Sequence, residues 1–148
     1  ELCEGTPVSG KEEYLDSEKY EIRAWDWERP GHIRAEITRL NQIRRANPAL
    51  QSHRGVRFHP SANDQVLFYS KATPERDNVL LIAVSMDPHN PQSAPVELPL
   101  WLLGQPDDGT LAAEDLLHGH RFAWHGKHHV LHLDPDAPYG IWRVRAPH

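Results

Sequence analysis

From residue 54 onward the chain is a train of short apolar segments separated by turn residues. This spacing constrains the fold more than any other feature. The segments are Val56–His59, Gln65–Ala72, Asn78–Met86, Ala94–Leu98, Ala112–Leu116, Arg121–Trp124, His129–Leu133 and Gly140–Val144. Between them lie Pro60 to Asp64, Pro74 to Asp77, Asp87 to Pro91, Gly104 to Gly109, His118-Gly119, Gly126-Lys127 and Asp134 to Pro138. Eight short segments at nearly regular spacing predict an antiparallel β-sandwich. Val130, His132 and Asp134 share one face and Leu131 and Leu133 the other, the alternation of a half-buried edge. In the third segment Leu80, Ile82 and Val84 alternate with Leu81 and Ala83, so both faces are apolar and the strand is expected to be central.

The region before residue 54 has a different pattern. Ile33, Ile37, Leu40 and Ile43 recur at helical spacing, predicting an amphipathic helix over 32–47. Glu36 can pair with Arg39, and Arg44 and Arg45 fall in the last turn, where the helix dipole favours cations. Pro48 stops the helix by pushing Asn47 out of the α region. Residues 1–31 read as irregular, punctuated by Gly5, Pro7, Gly10 and Pro30-Gly31. They carry close-set acids (Glu12, Glu13, Asp16, Glu18) and aromatics (Tyr14, Tyr20, Trp25, Trp27). Long ordered loops of this kind are usually functional. A boundary is expected between Ala49 and Gly55, dividing the chain into 1–50 and 51–148. A loop and one helix cannot bury a core alone, so residues 1–48 must pack on the sandwich or on another domain.

Composition narrows the function. The 148 residues carry a net charge of −5, with 39% hydrophobic and 25% charged residues, as in a soluble globular protein. That balance gives no support to nucleic acid as a partner, and three arginines on one helix read as a solvated face. Cys3 is the single cysteine, so no intrachain disulfide can form. No segment reaches the ~18 apolar residues of a membrane span. The chain opens Glu-Leu-Cys-Glu, without a signal-peptide pattern and without Met, and the expectation is an excised or processed segment of a cytoplasmic protein.

Seven strings give this pattern an identity: ELCE at the start, KEEYLDSEKYEIR at 11–23, LNQIRRANPAL at 40–50, FHPSANDQVLFYSK at 58–71, NVLLIAVSMDPHN at 78–90, ELPLWLLGQPDD at 97–108 and EDLLHGHRFAWHGK at 114–127. Together they resemble the α-1,4-glucan:maltose-1-phosphate maltosyltransferases of the α-amylase superfamily. The resemblance covers essentially the whole chain, and EEYLDSEKY is its most specific string. It implies a (β/α)8 barrel, whose eighth loop and eighth helix would be residues 1–50, followed by a C-terminal β-sandwich, residues 51–148. It implies a homodimer that transfers maltosyl units from maltose 1-phosphate to the non-reducing end of α-1,4-glucans, with retention, in glycogen or capsular glucan synthesis. No cofactor and no metal are implied.

Barrel active sites lie on the βα-loops, so the loop is the part of this chain able to reach substrate. The resemblance places Lys19 and Tyr20 on the donor sugar. Lys offers three donors to sugar or phosphate oxygens, and Tyr a hydroxyl and an aromatic face. On spacing alone, a surface charge at Lys19 and a packing residue at Tyr20 are the plainer reading, and it is the resemblance that reverses it. Retaining transfer needs two carboxyl groups about 5 Å apart. The resemblance places them on earlier barrel strands, outside this chain. Glu12-Glu13 and Asp107-Asp108 are adjacent pairs with nothing to hold them across a cleft. No catalytic residue is therefore assigned.

Eleven histidines are many for this length. His118, His120, His125, His128, His129 and His132 crowd the last hairpins. His118-x-His120 has a plausible zinc spacing, but the two flank a turn glycine, and surface histidines are the plainer reading. Trp101, Trp124 and Trp142 are candidates for sugar platforms or for core. Competing readings are a non-catalytic carbohydrate-binding module, a structural dimerisation domain, or the tail of a trehalose synthase or branching enzyme. SEKYEIR argues against the last.

Overall fold

The computed structural model describes residues 1–14, 22 and 24–147. They fall into two compact units, Glu1–Gln42 and Ile43–His148. Helix α1 spans Arg34–Ala46, and its last turn counts with the second unit. A short 3-10 turn, Pro48–Leu50, follows.

The second unit is an antiparallel sandwich. Its strands are β1 (Val56–His59), β2 (Val66–Ala72), β3 (Val79–Ser85), β4 (Gln92–Glu97), β5 (Thr110–Asp115), β6 (Arg121–His125), β7 (His128–Leu133) and β8 (Tyr139–Arg145). Six form one sheet in the order β1-β2-β3-β8-β5-β6, and β4 and β7 form a second. All eight expected segments are strands, with ends moved by one or two residues. A 3-10 turn at Leu100–Leu103, which period-2 reasoning does not detect, joins β4 to β5.

The large sheet is apolar on both faces. Toward the small sheet, Val66, Phe68, Val79, Leu81, Leu111 and Val144 pack with Ala94, Val96, Leu131 and Leu133. On the opposite face, Leu80, Ile82 and Ile141 pack with Ile43, Ala49 and Leu117. β3 lies between β2 and β8, as its two-sided apolar run predicts, and Leu80 and Leu81 are both fully buried. Each such side chain contributes about 1.5–3 kcal/mol.

Two features depart from the simplest reading of the sequence. First, β6 and β7 are not a hairpin. β6 pairs with β5 (Thr110↔His125) and β7 with β4 (Glu97↔His128). The chain changes sheets at Gly126, whose φ of +71° favours glycine and whose N–H donates to the Gly109 carbonyl at 2.8 Å. Second, the apolar stripe of α1 is buried only at Ile43; Ile33 is 46% exposed and Leu40 37%.

Two polar devices fasten the second unit. Asn47 and Asn78 are both buried. The Asn78 amide nitrogen donates to Asn47 Oδ1 at 3.1 Å, Asn47 Nδ2 donates to the Ile43 carbonyl at 2.8 Å, and the Ala49 N–H donates to Asn78 Oδ1 at 3.0 Å. Asn47 is extended (φ −129°, ψ 102°), as its position before Pro48 requires. The second device is Glu114 on β5, which accepts from Arg121 on β6 and Arg143 on β8. The Arg143 hydrogen bond above all holds its carboxyl below the ordinary 4.5.

Replacing Asn78 by Ala removes two buried hydrogen bonds and is expected to cost about 2–3 kcal/mol. Urea unfolding of Asn47→Ala, Asn78→Ala and the double variant checks this. The double variant should be less destabilised than the sum of the two. For Glu114 the folded pKa lies below the unfolded one, so its stabilisation is present above about pH 4.5 and is lost as pH falls through the folded value. Glu114→Gln should flatten the acid limb of a plot of stability against pH and leave the neutral-to-alkaline slope unchanged.

Candidate functional site

The loop ahead of α1 is built on a small pinned turn. Pro7 and Tyr14 form an antiparallel bridge, Val8 N–H donates to the Glu13 carbonyl at 2.7 Å, and Lys11 N–H donates to the Val8 carbonyl at 3.1 Å. Gly10, with φ +75°, makes the bend. On the other side of the loop the Arg29 guanidinium binds the Glu4 carboxylate and donates to the Leu2 carbonyl at 2.7 Å. Ile33 N–H donates to the Glu1 carbonyl at 3.0 Å. Arg34 donates to the Trp27 carbonyl at 2.5 Å and to Glu28 at 3.0 Å, with its guanidinium 5.8 Å from the Trp27 ring centre. Both ends of the loop are thus tied. Lys19 and Tyr20 lie between these ties and outside the described residues.

Beside the ties is a groove of about 290 Å³ lined by Glu1, Leu2, Cys3, Glu4, Trp25 and Trp27. Trp25 is 41% and Trp27 46% exposed. Indole faces and carboxylate acceptors are the chemistry that holds a polyhydroxylated ring. In the sequence these tryptophans stand out only as aromatics of the loop, with no role of their own. The signal was available: Trp-Asp-Trp in a loop without an apolar period has no core to join.

The other candidates resolve differently. Glu12 and Glu13 are exposed on the pinned turn, and Asp107 is bound by Lys127 at 2.8 Å. His118 Nδ1 is 2.8 Å from Asp115 Oδ2, and its ring stacks on His120 at 6.0 Å. His125 and His132 hydrogen-bond Thr110 and Ser93, and His129 reaches the His125 and Gly126 carbonyls. Among the described residues no three His, Cys, Asp or Glu side chains converge as a metal site. Trp124 and Trp142 pack edge to face at 5.5 Å against the main core, and a Cβ on Gly140 would lie 2.3 Å from the Trp142 ring. Only Trp101 of the three is exposed, with the Arg57 guanidinium 4.9 Å from its ring centre.

A solved α-amylase has a similar fold. An α-amylase from Geobacillus thermoleovorans, solved with acarbose, superposes with a TM-score of 0.60 at 15% identity, over 85% of this chain and 26% of that one. The family model described as "GLGE, C-terminal" matches residues 58–144. Alpha-1,4-glucan:maltose-1-phosphate maltosyltransferases from Pseudomonas aeruginosa, Cereibacter sphaeroides and Myxococcus xanthus are 53%, 51% and 47% identical over 98%, 99% and 97% of this chain. The chain belongs to this maltosyltransferase family. It spans 22% of the length of each of those relatives.

Arg29 is the strut of the described loop. Arg29→Ala is expected to speed amide hydrogen exchange about tenfold at Val8, Lys11 and Ile33, equivalent to about 1.4 kcal/mol, with the amides of β3 unchanged.

Proposed function

We propose that this chain is the C-terminal part of a maltosyltransferase. The whole protein would move maltosyl units from maltose 1-phosphate to the non-reducing end of an α-1,4-glucan, with retention. The observation that carries this reading is the 53% identity to a relative of that name across 98% of the chain, loop included. Residues 1–50 would be the eighth loop and helix of a (β/α)8 barrel and residues 51–148 the C-terminal sandwich. The exposed stripe of α1 supports this, since Ile33 and Leu40 offer an apolar surface of the kind barrel helices bury against neighbouring elements. The setting would be cytoplasmic glycogen-type glucan synthesis by a homodimer. No helix among the described residues is long and apolar enough to cross a membrane.

In this reading Lys19 and Tyr20 hold the donor sugar. The Lys19 ammonium donates to sugar or phosphate oxygens, and Tyr20 adds a hydroxyl and a ring face. The groove of Trp25, Trp27 and Glu1 would extend the sugar-facing surface. The nucleophile and the acid/base belong to barrel strands outside this chain.

In the full-length enzyme, Lys19→Ala and Tyr20→Phe are each expected to lower kcat/KM for maltose 1-phosphate about 10- to 100-fold, with the unfolding temperature unchanged. The 148-residue chain alone should release no phosphate from maltose 1-phosphate. Turnover by that chain, or full activity in both variants, would overturn the assignment. A second reading, a non-catalytic glucan-binding module, is favoured by the exposed Trp25, Trp27 and Trp101. Saturable quenching of tryptophan fluorescence by maltooligosaccharides, together with wild-type kinetics in both variants, would establish it.

A further inference from the structure

We propose that the cleft beside β1 and β2 is a binding site for a phosphate dianion, free or carried on a small sugar. The cleft measures about 470 Å³, within the range of small-molecule sites. Arg54, Arg57 and Arg76 line it, with Ser52, Ser70 and Thr73 between them. A fourth cation stands behind the wall: the buried Lys71 donates its ammonium to the Ser52 carbonyl.

What singles out this cleft is that several cations without an ion-pair partner share one cavity. Among the described residues, no carboxylate is within ion-pair distance of Arg54, Arg57, Arg76 or Lys71. The other cavity of the unit that gathers arginines has its own acid: Arg121 and Arg143 share Glu114 there. Asp77 accepts from the hydroxyl of Thr73, but it lines a separate cavity with Glu114. Gathering four cations with no acid in ion-pair contact, in a chain of net charge −5, carries a self-repulsion that a bound anion relieves.

Two of the three guanidinium groups are also set in place before any ligand arrives. Arg57 rests on the Trp101 ring at 4.9 Å, and Arg76 donates to the Leu102 carbonyl at 3.1 Å. Each keeps further N–H donors for a ligand, since guanidinium has five. Arg54 and Arg57 are brought to one cleft by Gly55. Its φ is +73°, and a Cβ there would stand 2.2 Å from the Ala72 carbonyl oxygen, so only glycine passes so close to β2. Planar forks on several sides match the tetrahedral oxygens of phosphate better than a single carboxylate.

The inference does not rest on the maltosyltransferase reading, because binding is measured without turnover. Two-dimensional NMR of the uniformly 15N-labelled chain, following the Trp101 indole and the Gly55 amide, provides the test. Inorganic phosphate, a hexose 1-phosphate and uncharged maltose are the probes, with sodium chloride at matched ionic strength as control. Saturable shifts at both reporters with phosphate or the hexose phosphate, at about millimolar Kd, are expected, and none with maltose. Tighter binding of the hexose phosphate would identify the sugar-borne source, and equal binding the free anion. Arg54→Gln, whose side chain has no other described contact, should weaken binding about tenfold. Arg121→Gln, on the separate cavity, should leave it unchanged. No saturable shift, shifts reproduced by sodium chloride, or equal affinity in Arg54→Gln and the parent would overturn the proposal.

Discussion

The buried amide pair of Asn47 and Asn78 is the constraint on which the second unit depends. A six-stranded sheet that is apolar on both faces needs cover on both. The small sheet of β4 and β7 supplies one cover, and the turn from Ile43 to Leu50 supplies much of the other. That second cover is short, so its apolar contacts alone fix its position weakly. Asn78 stands at the start of the central strand and Asn47 at the end of α1, and each satisfies the other's buried amide while also holding a backbone group. In a water-excluded site, sliding the turn along the sheet would leave several polar groups unpaired at once. Directional bonds set the register, and the apolar contacts supply most of the energy.

The same division of labour appears at the other end of the sheet. β6 is an edge strand with little burial, and Glu114 compensates by accepting from arginines on both flanking strands. Its two partners sit across β5 from each other, so one carboxylate spans three strands. Exposed ion pairs are weak individually, and this one gains from its network and from partial burial. Where the chain leaves β6 it must reach the second sheet at once. Gly126 makes that passage possible, and Lys127 then ties the crossing to Asp107 and Glu97.

The strands were legible in the sequence because burial writes itself as period two. The Leu80/Leu81 alternation identified β3 as central, and Leu131 and Leu133 identified β7 as half-buried. Pairing was less legible. Strands separated by Gly126-Lys127 look like a hairpin in one dimension. The choice of β5 and β4 as partners depends on packing elsewhere, which local pattern does not record. The α1 stripe is apolar as its period predicts, yet period cannot say which of its residues are covered, and among the described residues of the stripe only Ile43 is buried. Tryptophan shows the same limit. Trp124, Trp142 and Trp101 look alike in sequence, and only coordinates separate the two in the core from the one under Arg57.

Charge was the least legible property, because its meaning depends on neighbours distant in sequence. Arg54 stands just before Gly55 and Arg57 in the first strand segment after it, and Arg76 sits in a turn about twenty residues on. As a list they are surface arginines on an acidic chain. Folding brings the two segments to one cleft because β1 and β2 pair, with Val56 opposite Lys71. Electrostatic energy depends on distance, not on order along the chain. Three scattered cations become one site only when a sheet register makes them neighbours. The glycine between two of them is then more than a turn residue: it lets the backbone pass close enough for that register to form.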